Sequence, residues 1–460
     1  MDEPLDYISP RQQALFPFIA TEMLLEAPEL QAMVAGSQRY LEKLFSFLRQ
    51  EDLSATSASY FSAVAQSLLG RNASAVVQFL FVSNDYKGDL VRGVESRAVC
   101  DFLWKLIYCE PGLSQFPYVK LCILQSLSDA LSLQISDIAV SNIGRLLQDL
   151  VNSRELKGWK VFVAVVIQTA GKWCEVLKLT QNPVLISTLL RLLSTLLSQP
   201  DFANLSQIDL SEVLLIMQRL SLSCPSPTSP LLPSLLSTLP QLLSYLQSPS
   251  TSGLHCSLIL DLMCGLVGWD KDAEETLVSE GLIDAAVSLF ATQLWSSLVH
   301  KSFERLVQTI GDTGFVPLQY YLINSAKLPW TLANIASDPY IESGKHKIRK
   351  GNLGHVARIG NYLRDCWGLR AGLSEVEQSS WWRAFLTDFL EGQNRLEAGR
   401  LGEGLERSPS ALFSEQLTTA LQLSSLAASL QDCEEDTAAQ FRPAEYWKIP
   451  VEQLDLEDLD

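Results

Sequence analysis

The chain has 460 residues, 47% of them hydrophobic, and carries 52 Asp and Glu against 35 Lys and Arg for a formal charge of −17. That length suits two or three ordinary domains or one extended repeat array. The acidic balance argues against general nucleic-acid binding, which needs a basic surface to displace counterions.

The N-terminus, MDEPLDYISP, is acidic and lacks a positive n-region and an apolar h-region, so no signal peptide is expected. No apolar run approaches the ~18 residues that cross a bilayer, so no membrane insertion is expected. From residue 40 onward, apolar residues recur at helical spacing. Leu41, Leu44, Phe45 and Leu48 define one helix face, and Phe61, Val64, Ala65 and Leu68 a second. Val99, Phe102, Leu103, Leu106 and Ile107 make a third, and Trp382, Phe385, Leu386 and Phe389 a late one. No series of alternating β-branched strands is evident. Breaks fall at Gly70, Ser83-Asn84-Asp85, Glu110-Pro111-Gly112 and Gln199-Pro200-Asp201. Capping-box spacing occurs at Asp209/Glu212, Asp272/Glu275 and Ser374/Glu377.

This rhythm predicts an all-α fold, an armadillo- or HEAT-like solenoid in which stacked helix pairs bury what a single pair cannot. The expected organisation is an N-terminal tail (1–15), a first solenoid part (16–220), a Pro/Ser-rich loop (221–233), a second solenoid part (234–400) and a helix-containing acidic tail (401–460). In the loop SLSCPSPTSPLLP, Ser226 and Ser229 each precede Pro and resemble proline-directed kinase sites. The tail ends with five carboxylates in its last nine positions, a pattern typical of a solvated segment.

Chemistry is sparse. The nine cysteines are odd in number and scattered without a C-x2-C pair, which predicts reduced, packed thiols in a cytosolic protein and no zinc site. There are four histidines, His255, His300, His346 and His355. No G-x-S-x-G, H-E-x-x-H or P-loop motif occurs. IGDTGF (310–315) and GNLGH (351–355) faintly echo metallophosphatase motifs but lack the His and Glu that would complete them. The expectation is a protein that is not an enzyme, with no metal and no cofactor.

One stretch departs from the acidic background. KHKIRKGNLGHVARIGNYLR (345–364) holds six Lys or Arg, two His and no carboxylate. Its G-x-x-G turn is not a dinucleotide fingerprint, and no strand is expected before it. One reading makes the glycines a helix C-terminus, with the cations near the negative end of the dipole. The other makes the stretch a protein-binding surface. Lys347, Arg349, Lys350 and Arg358 would supply charge, Gly351 and Gly354 would allow close backbone approach, and Asn352 and His355 would join them. For His355 a packed, hydrogen-bonded helix position stands beside that role. Trp295, His300 and Trp382 are expected as structural anchors on apolar helix faces.

IRKGNLGHVARIGNYL (348–363) closely resembles the R-R-G-N-M-G-H-L-T-R-I-A-N segment of the SAPS-domain proteins, the regulatory subunits of protein phosphatase 6 and its yeast counterpart. Other blocks follow in the same order. Residues 40–80 resemble the family's L-W-S-F-L…A-S-F-F-S-K-V block, and RAVCDFLWKLI (97–107) its A-I-M-D-L-L-L-R-L-I element. LFATQLWSSLVH (289–300) is similar to D-L-F-F-x-Y-x-W-N-N-F-L-H, with Ser296 and Ser297 in place of two Asn. SSWWRAFLTDFLEGQNRLE (379–397) resembles R-W-E-S-F-V-E-E-T-L-x-E-T-N-R-R. The resemblance implies a helical-repeat subunit that binds a protein phosphatase 6-type catalytic subunit, with a further scaffold subunit able to join, and directs substrate choice or location in the cytoplasm or nucleus. Two other readings remain open: a helical-repeat adaptor for a different protein, and a nucleotide- or RNA-binding protein using the glycine loop.

Overall fold

The computed structural model describes residues 10–50, 53–84, 86–108, 117–133, 135–156, 159–199, 231–248, 251–343, 346–365 and 376–398. Residues through Gly392 form one compact unit; of the second, Gln393–Asp460, only 393–398 are described, as the end of a helix Glu391–Ala398. Ser226 and Ser229, most of the Pro/Ser-rich loop and the tail 401–460 lie outside the described residues. So do the spacings at Asp209/Glu212 and at Ser374.

The fold is an all-α solenoid. Seven helices stack in one row, each on the next: α1 (Ala55–Gln78), α2 (Arg97–Tyr108), α4 (Asp137–Asn152), α6 (Pro183–Leu197), α8 (Gly253–Leu266), α10 (Ser297–Thr313) and α12 (Leu353–Asp365). Helices of a second row alternate with them in sequence: α3 (Pro117–Ala130), α5 (Trp159–Leu179), α7 (Leu239–Gln247), α9 (Leu282–Thr292) and α11 (Leu328–Ser337).

The reason lies in the apolar spacing. In α4, Val140, Ile143, Leu147, Leu150 and Val151 are buried on one face, while α6 buries Leu185, Ile186, Leu189, Leu190, Leu193 and Leu197. Some helix starts are fixed by side chains. Ser136 accepts from the Ala139 amide at 3.3 Å, and Asn182 accepts from Val184 and Leu185 at 2.8 and 3.1 Å ahead of Pro183. Several buried polar groups are matched, as where the Trp173 indole donates to the Ser128 carbonyl at 3.2 Å. At the N-terminal end, Phe45 packs against Phe61, Phe79, Tyr86 and Phe102, with the Arg49 guanidinium 4.3 Å above the Tyr86 ring.

Several expectations need correction. Helix begins at Pro10, inside the stretch assigned to the N-terminal tail, and Leu231–Leu236 is helical at the end of the assigned loop. Gly70 is not a break. The kink is at Asn72 (φ −144°, ψ 66°), whose side chain caps the continuing helix by accepting from Ala75 at 3.2 Å. Asp272 is not a cap either: the helix Lys271–Ser279 starts beyond Asp270, and Glu275 pairs with Lys271 at 3.4 Å. It is Glu274 that turns inward, accepting from the amides of Gly268 (2.7 Å) and Phe315 (3.0 Å) and tying two loops together.

Candidate partner-binding site

A strand does precede the glycine turn. β1 (Tyr340–Ser343) and β2 (His346–Arg349) form an antiparallel hairpin that pairs Tyr340 with Arg349, Ile341 with Ile348 and Glu342 with Lys347. Pro339 obstructs continuation of α11, and the Ile341–Ile348 pair gives the ribbon its one apolar cross-strand contact. His346, Lys347, Ile348 and Arg349 are all exposed. The hairpin is tied down at its base, where the Lys350 amide donates to the Pro339 carbonyl at 2.9 Å and the Lys350 ammonium meets Asp338 at 3.2 Å.

The glycines therefore open a helix and do not close one. The carbonyl of Asn352 accepts from the amides of His355 and Val356, both at 3.0 Å, as the first turn of α12. Cations here stand near the positive end of the helix dipole, where a like charge costs about 0.3–1 kcal/mol. The charge of Lys347, Arg349 and Lys350 is thus not a capping device. That removes the electrostatic reason for reading the stretch as an ordinary helix end.

The expected contact residues divide sharply. Gly351 makes a close approach: a Cβ there would lie 2.8 Å from the Leu294 carbonyl oxygen and 2.9 Å from Trp295 Cε3. Gly354 makes none, since the same position meets nothing within 4 Å. Asn352 is fully buried and donates to the Phe290 carbonyl at 3.2 Å, so it pins the turn to α9 and is not available to a partner. His355 lies mostly buried and donates from Nδ1 to Glu304 at 2.7 Å, while the exposed Arg358 reaches the same carboxylate at 3.4 Å. Lys347 and Arg349 remain on the surface, Lys350 is held by Asp338, and Arg358 is shared with Glu304.

Of the expected anchors, two are interior. Trp382 is buried and stacks on Phe385 with ring centroids 4.9 Å apart. His300 is buried, donates from Nε2 to the Gln293 carbonyl, and lies 5.4 Å from the His355 ring. Burial holds its pKa below the usual histidine value, and the neighbouring His355 acts in the same direction. Trp295 is the exception. It is 60% exposed, because α9 ends at Thr292 and α10 starts at Ser297, leaving Trp295 in the turn between them. Its ring lies over Gly351 as part of the surface beside the basic turn.

Sequence reasoning missed Glu304, the carboxylate that organises His355 and Arg358, and also Trp330 and Trp381, which are 53% and 37% exposed. The doublet Trp381-Trp382 held a signal. Adjacent helical residues point about 100° apart, so only one of the two can face the core.

Among the described residues no group of His, Cys, Asp and Glu is arranged to hold a metal ion, and no helix is long and apolar enough to cross a membrane. Five described cysteines, at 100, 122, 174, 256 and 264, are buried thiols outside any disulfide, and burial pushes those of Cys100, Cys174 and Cys264 up to about 12.

No protein-family model matches the chain. It is similar to proteins named as phosphatase regulators. "Serine/threonine-protein phosphatase 6 regulatory subunit 1" of Mus musculus is 30% identical over 148 residues, 30% of this chain and 17% of that protein. The Homo sapiens protein of the same name is 29% identical over 117 residues, 25% of this chain and 13% of its own length. "Serine/threonine-protein phosphatase 6 regulatory subunit 3" of Gallus gallus is 27% identical over 111 residues, 24% of this chain and 13% of that protein. The matched region thus spans less than a fifth of each relative. Two engineered proteins of known crystal structure superimpose with TM-scores of 0.38 and 0.32, each at 13% identity. They cover 69% and 84% of this chain and 96% and 95% of their own. Likenesses of that size carry no argument about fold or function.

Proposed function

We propose that this chain is a SAPS-type, non-catalytic regulatory subunit. It binds the catalytic subunit of a protein phosphatase 6-type serine/threonine phosphatase and directs its substrate choice or location, in the cytoplasm or the nucleus. The observation that carries the reading is the similarity to relatives that are themselves named regulatory subunits of that phosphatase. The solenoid supports it, because a two-row helical stack offers long exposed faces and rigid turns on which a partner can seat. The basic turn is the proposed contact. Lys347 and Arg349 project from the hairpin, Gly351 lets the turn pack against Leu294 and Trp295, and Asn352, His355 and Glu304 hold it from behind. An acidic surface on the partner would meet them, giving orientation and association rate more than raw affinity.

The test is affinity purification of the tagged full chain from its own cells, beside a Lys347→Glu, Arg349→Glu variant. These two residues are chosen because both are exposed. The account expects a phosphatase catalytic subunit with the wild-type chain and its loss from the variant. Recovery with both would keep the regulatory reading and remove the turn from it. Absence from both at mild salt would favour a second reading, a helical-repeat adaptor for a different protein. One observation favours that reading: Ser296 and Ser297 replace the two Asn of the resembled segment, next to the exposed Trp295.

A further inference from the structure

Beyond the basic turn, the last described helices leave an apolar groove. It lies between α11 and the segment 380–390, has a volume of about 540 Å³, and is walled by Trp330, Trp381, Phe385 and Phe389 over a floor that includes Ala333 and Ala336. A second hollow of about 310 Å³ shares Trp330 and Trp381 and runs past Lys327. The tryptophans are positioned, not loose. Trp382 is buried in a stack with Phe385, which stacks in turn on Phe389, so Trp381 is held outward by its own neighbour. Part of each hollow comes from a wide, π-type turn, Tyr321–Ser325 in one and Phe385–Leu390 in the other. Turns of this kind frequently mark functional sites.

Charge defines the occupant. Lys327, exposed and held at φ 54°, stands just before the first residue of α11. Beyond the C-terminal end of α11 the groove is lined by Pro339, and the chain runs directly into Tyr340, whose strand partner is Arg349, with Lys347 two residues back along β2. Asp388 is the single carboxylate among the residues lining the two hollows, and it accepts from the Thr387 hydroxyl at 2.9 Å. Two carboxylates stand at the Pro339 end, Asp338 on Lys350 and Glu342 opposite Lys347, against three cations, so an excess of positive charge lies beyond both ends of the apolar trough and suits a ligand of the opposite pattern. We propose that this groove binds a short linear peptide of a partner protein, apolar at its centre and acidic on both flanks. Bulky side chains fill the space between Trp330 and Trp381, and the flanking carboxylates meet Lys327 on one side and Lys347 and Arg349 on the other. The inference does not rest on phosphatase binding.

The experiment uses the purified full chain and a fluorescein-labelled synthetic peptide with a Leu-Trp-Leu centre between two Glu tracts. Fluorescence anisotropy is compared with a Gln-flanked peptide and with an Ala-centred one. Saturable binding of the first peptide is expected. Either control peptide, or a Trp330→Ala or Trp381→Ala chain, weakens it by at least about tenfold, as for loss of an aromatic anchor. Lys327→Gln should weaken it severalfold while leaving phosphatase recovery unchanged, which distinguishes peptide binding from the phosphatase contact although the two share Lys347 and Arg349. Both tryptophans are partly exposed, and thermal melting that matches the wild type confirms that the variants are folded. Binding indifferent to the Glu flanks or to both tryptophan variants would overturn the proposal, as would no saturable binding. Self-association of the chain abolished by Trp330→Ala would overturn it too, by assigning the groove to a second copy.

Discussion

Two stretches of the same solenoid are built on different terms. From Asp137 to Leu266 four of the described helices run for 14 to 21 residues, with two shorter ones, Leu231–Leu236 and Leu239–Gln247, between them. They are capped by Ser136, Asn182 and Ser252, and their tryptophans are buried with the indole nitrogens satisfied. From Leu282 to Leu390 the rows continue, yet they are interrupted by two π-type turns, a left-handed Lys327 and a hairpin, and three tryptophans stand on the surface. Regularity marks the part whose work is packing. Interruption marks the part that presents side chains outward: Trp295 stands in a loop, while Trp330 and Trp381 lie on helices of ten residues or fewer next to the widened turns.

Paired tryptophan substitutions break or sharpen the contrast with the largest effect. Trp173→Ala removes a fully buried ring and should cost about 3–5 kcal/mol. Trp295→Ala, at a surface position, should cost about 0.5 kcal/mol or less. Chemical denaturation of both variants measures this, and equal losses would erase the distinction. Next comes Gly351→Val, which forces a side chain against Leu294 and Trp295 and should cost about 1–3 kcal/mol, whereas Gly354→Ala, in open space on α12, should stabilise by about 0.5–1 kcal/mol. Thermal melts separate the two by opposite sign.

A smaller effect follows pH. The folded His300 titrates below its unfolded value near 6.5, so the unfolded chain takes up the proton first. Its contribution is fully present above that value and is lost as pH falls through the lowered folded one. The groups facing it are the Phe290 ring, the Gln293 carbonyl and His355, itself paired with Glu304. Between about pH 7.5 and about pH 5.5 the wild type should lose more melting temperature than His300→Gln. A parallel decline in the two would dismiss the His300 contribution. Least affected of all should be the buried thiols: Cys100, Cys174 and Cys264, pushed up to about 12, should resist alkylation in the native chain and react at ordinary rates once it is unfolded, as mass spectrometry would show.

The helical stack was legible because each buried face is written as a period, and residues such as Phe61, Val64 and Leu68, or Val99, Phe102 and Leu106, lie where that period puts them. The basic turn was legible as a charge anomaly, but its geometry was not. A four-residue strand pair has too little alternation to register, so nothing in the sequence marks the hairpin, and one of the two readings of the glycines puts them at the wrong end of a helix. The apolar neighbours of Trp295 make it look like a core residue, although the helix stops three residues before it. Asn352 carries no periodic signal at all. Its role follows from the Phe290 carbonyl, 62 residues away in sequence, and only tertiary structure brings the two together.

The most direct test of the central claim is the affinity of the purified full chain for a purified protein phosphatase 6 catalytic subunit, measured by calorimetry beside the Lys347→Glu, Arg349→Glu variant. The account predicts saturable one-to-one binding by the wild type and a loss of at least about tenfold in the variant, with unchanged melting, since truncating or reversing a contact charge acts on the complex and not on the fold. No binding by the wild-type chain under low-salt conditions would contradict it.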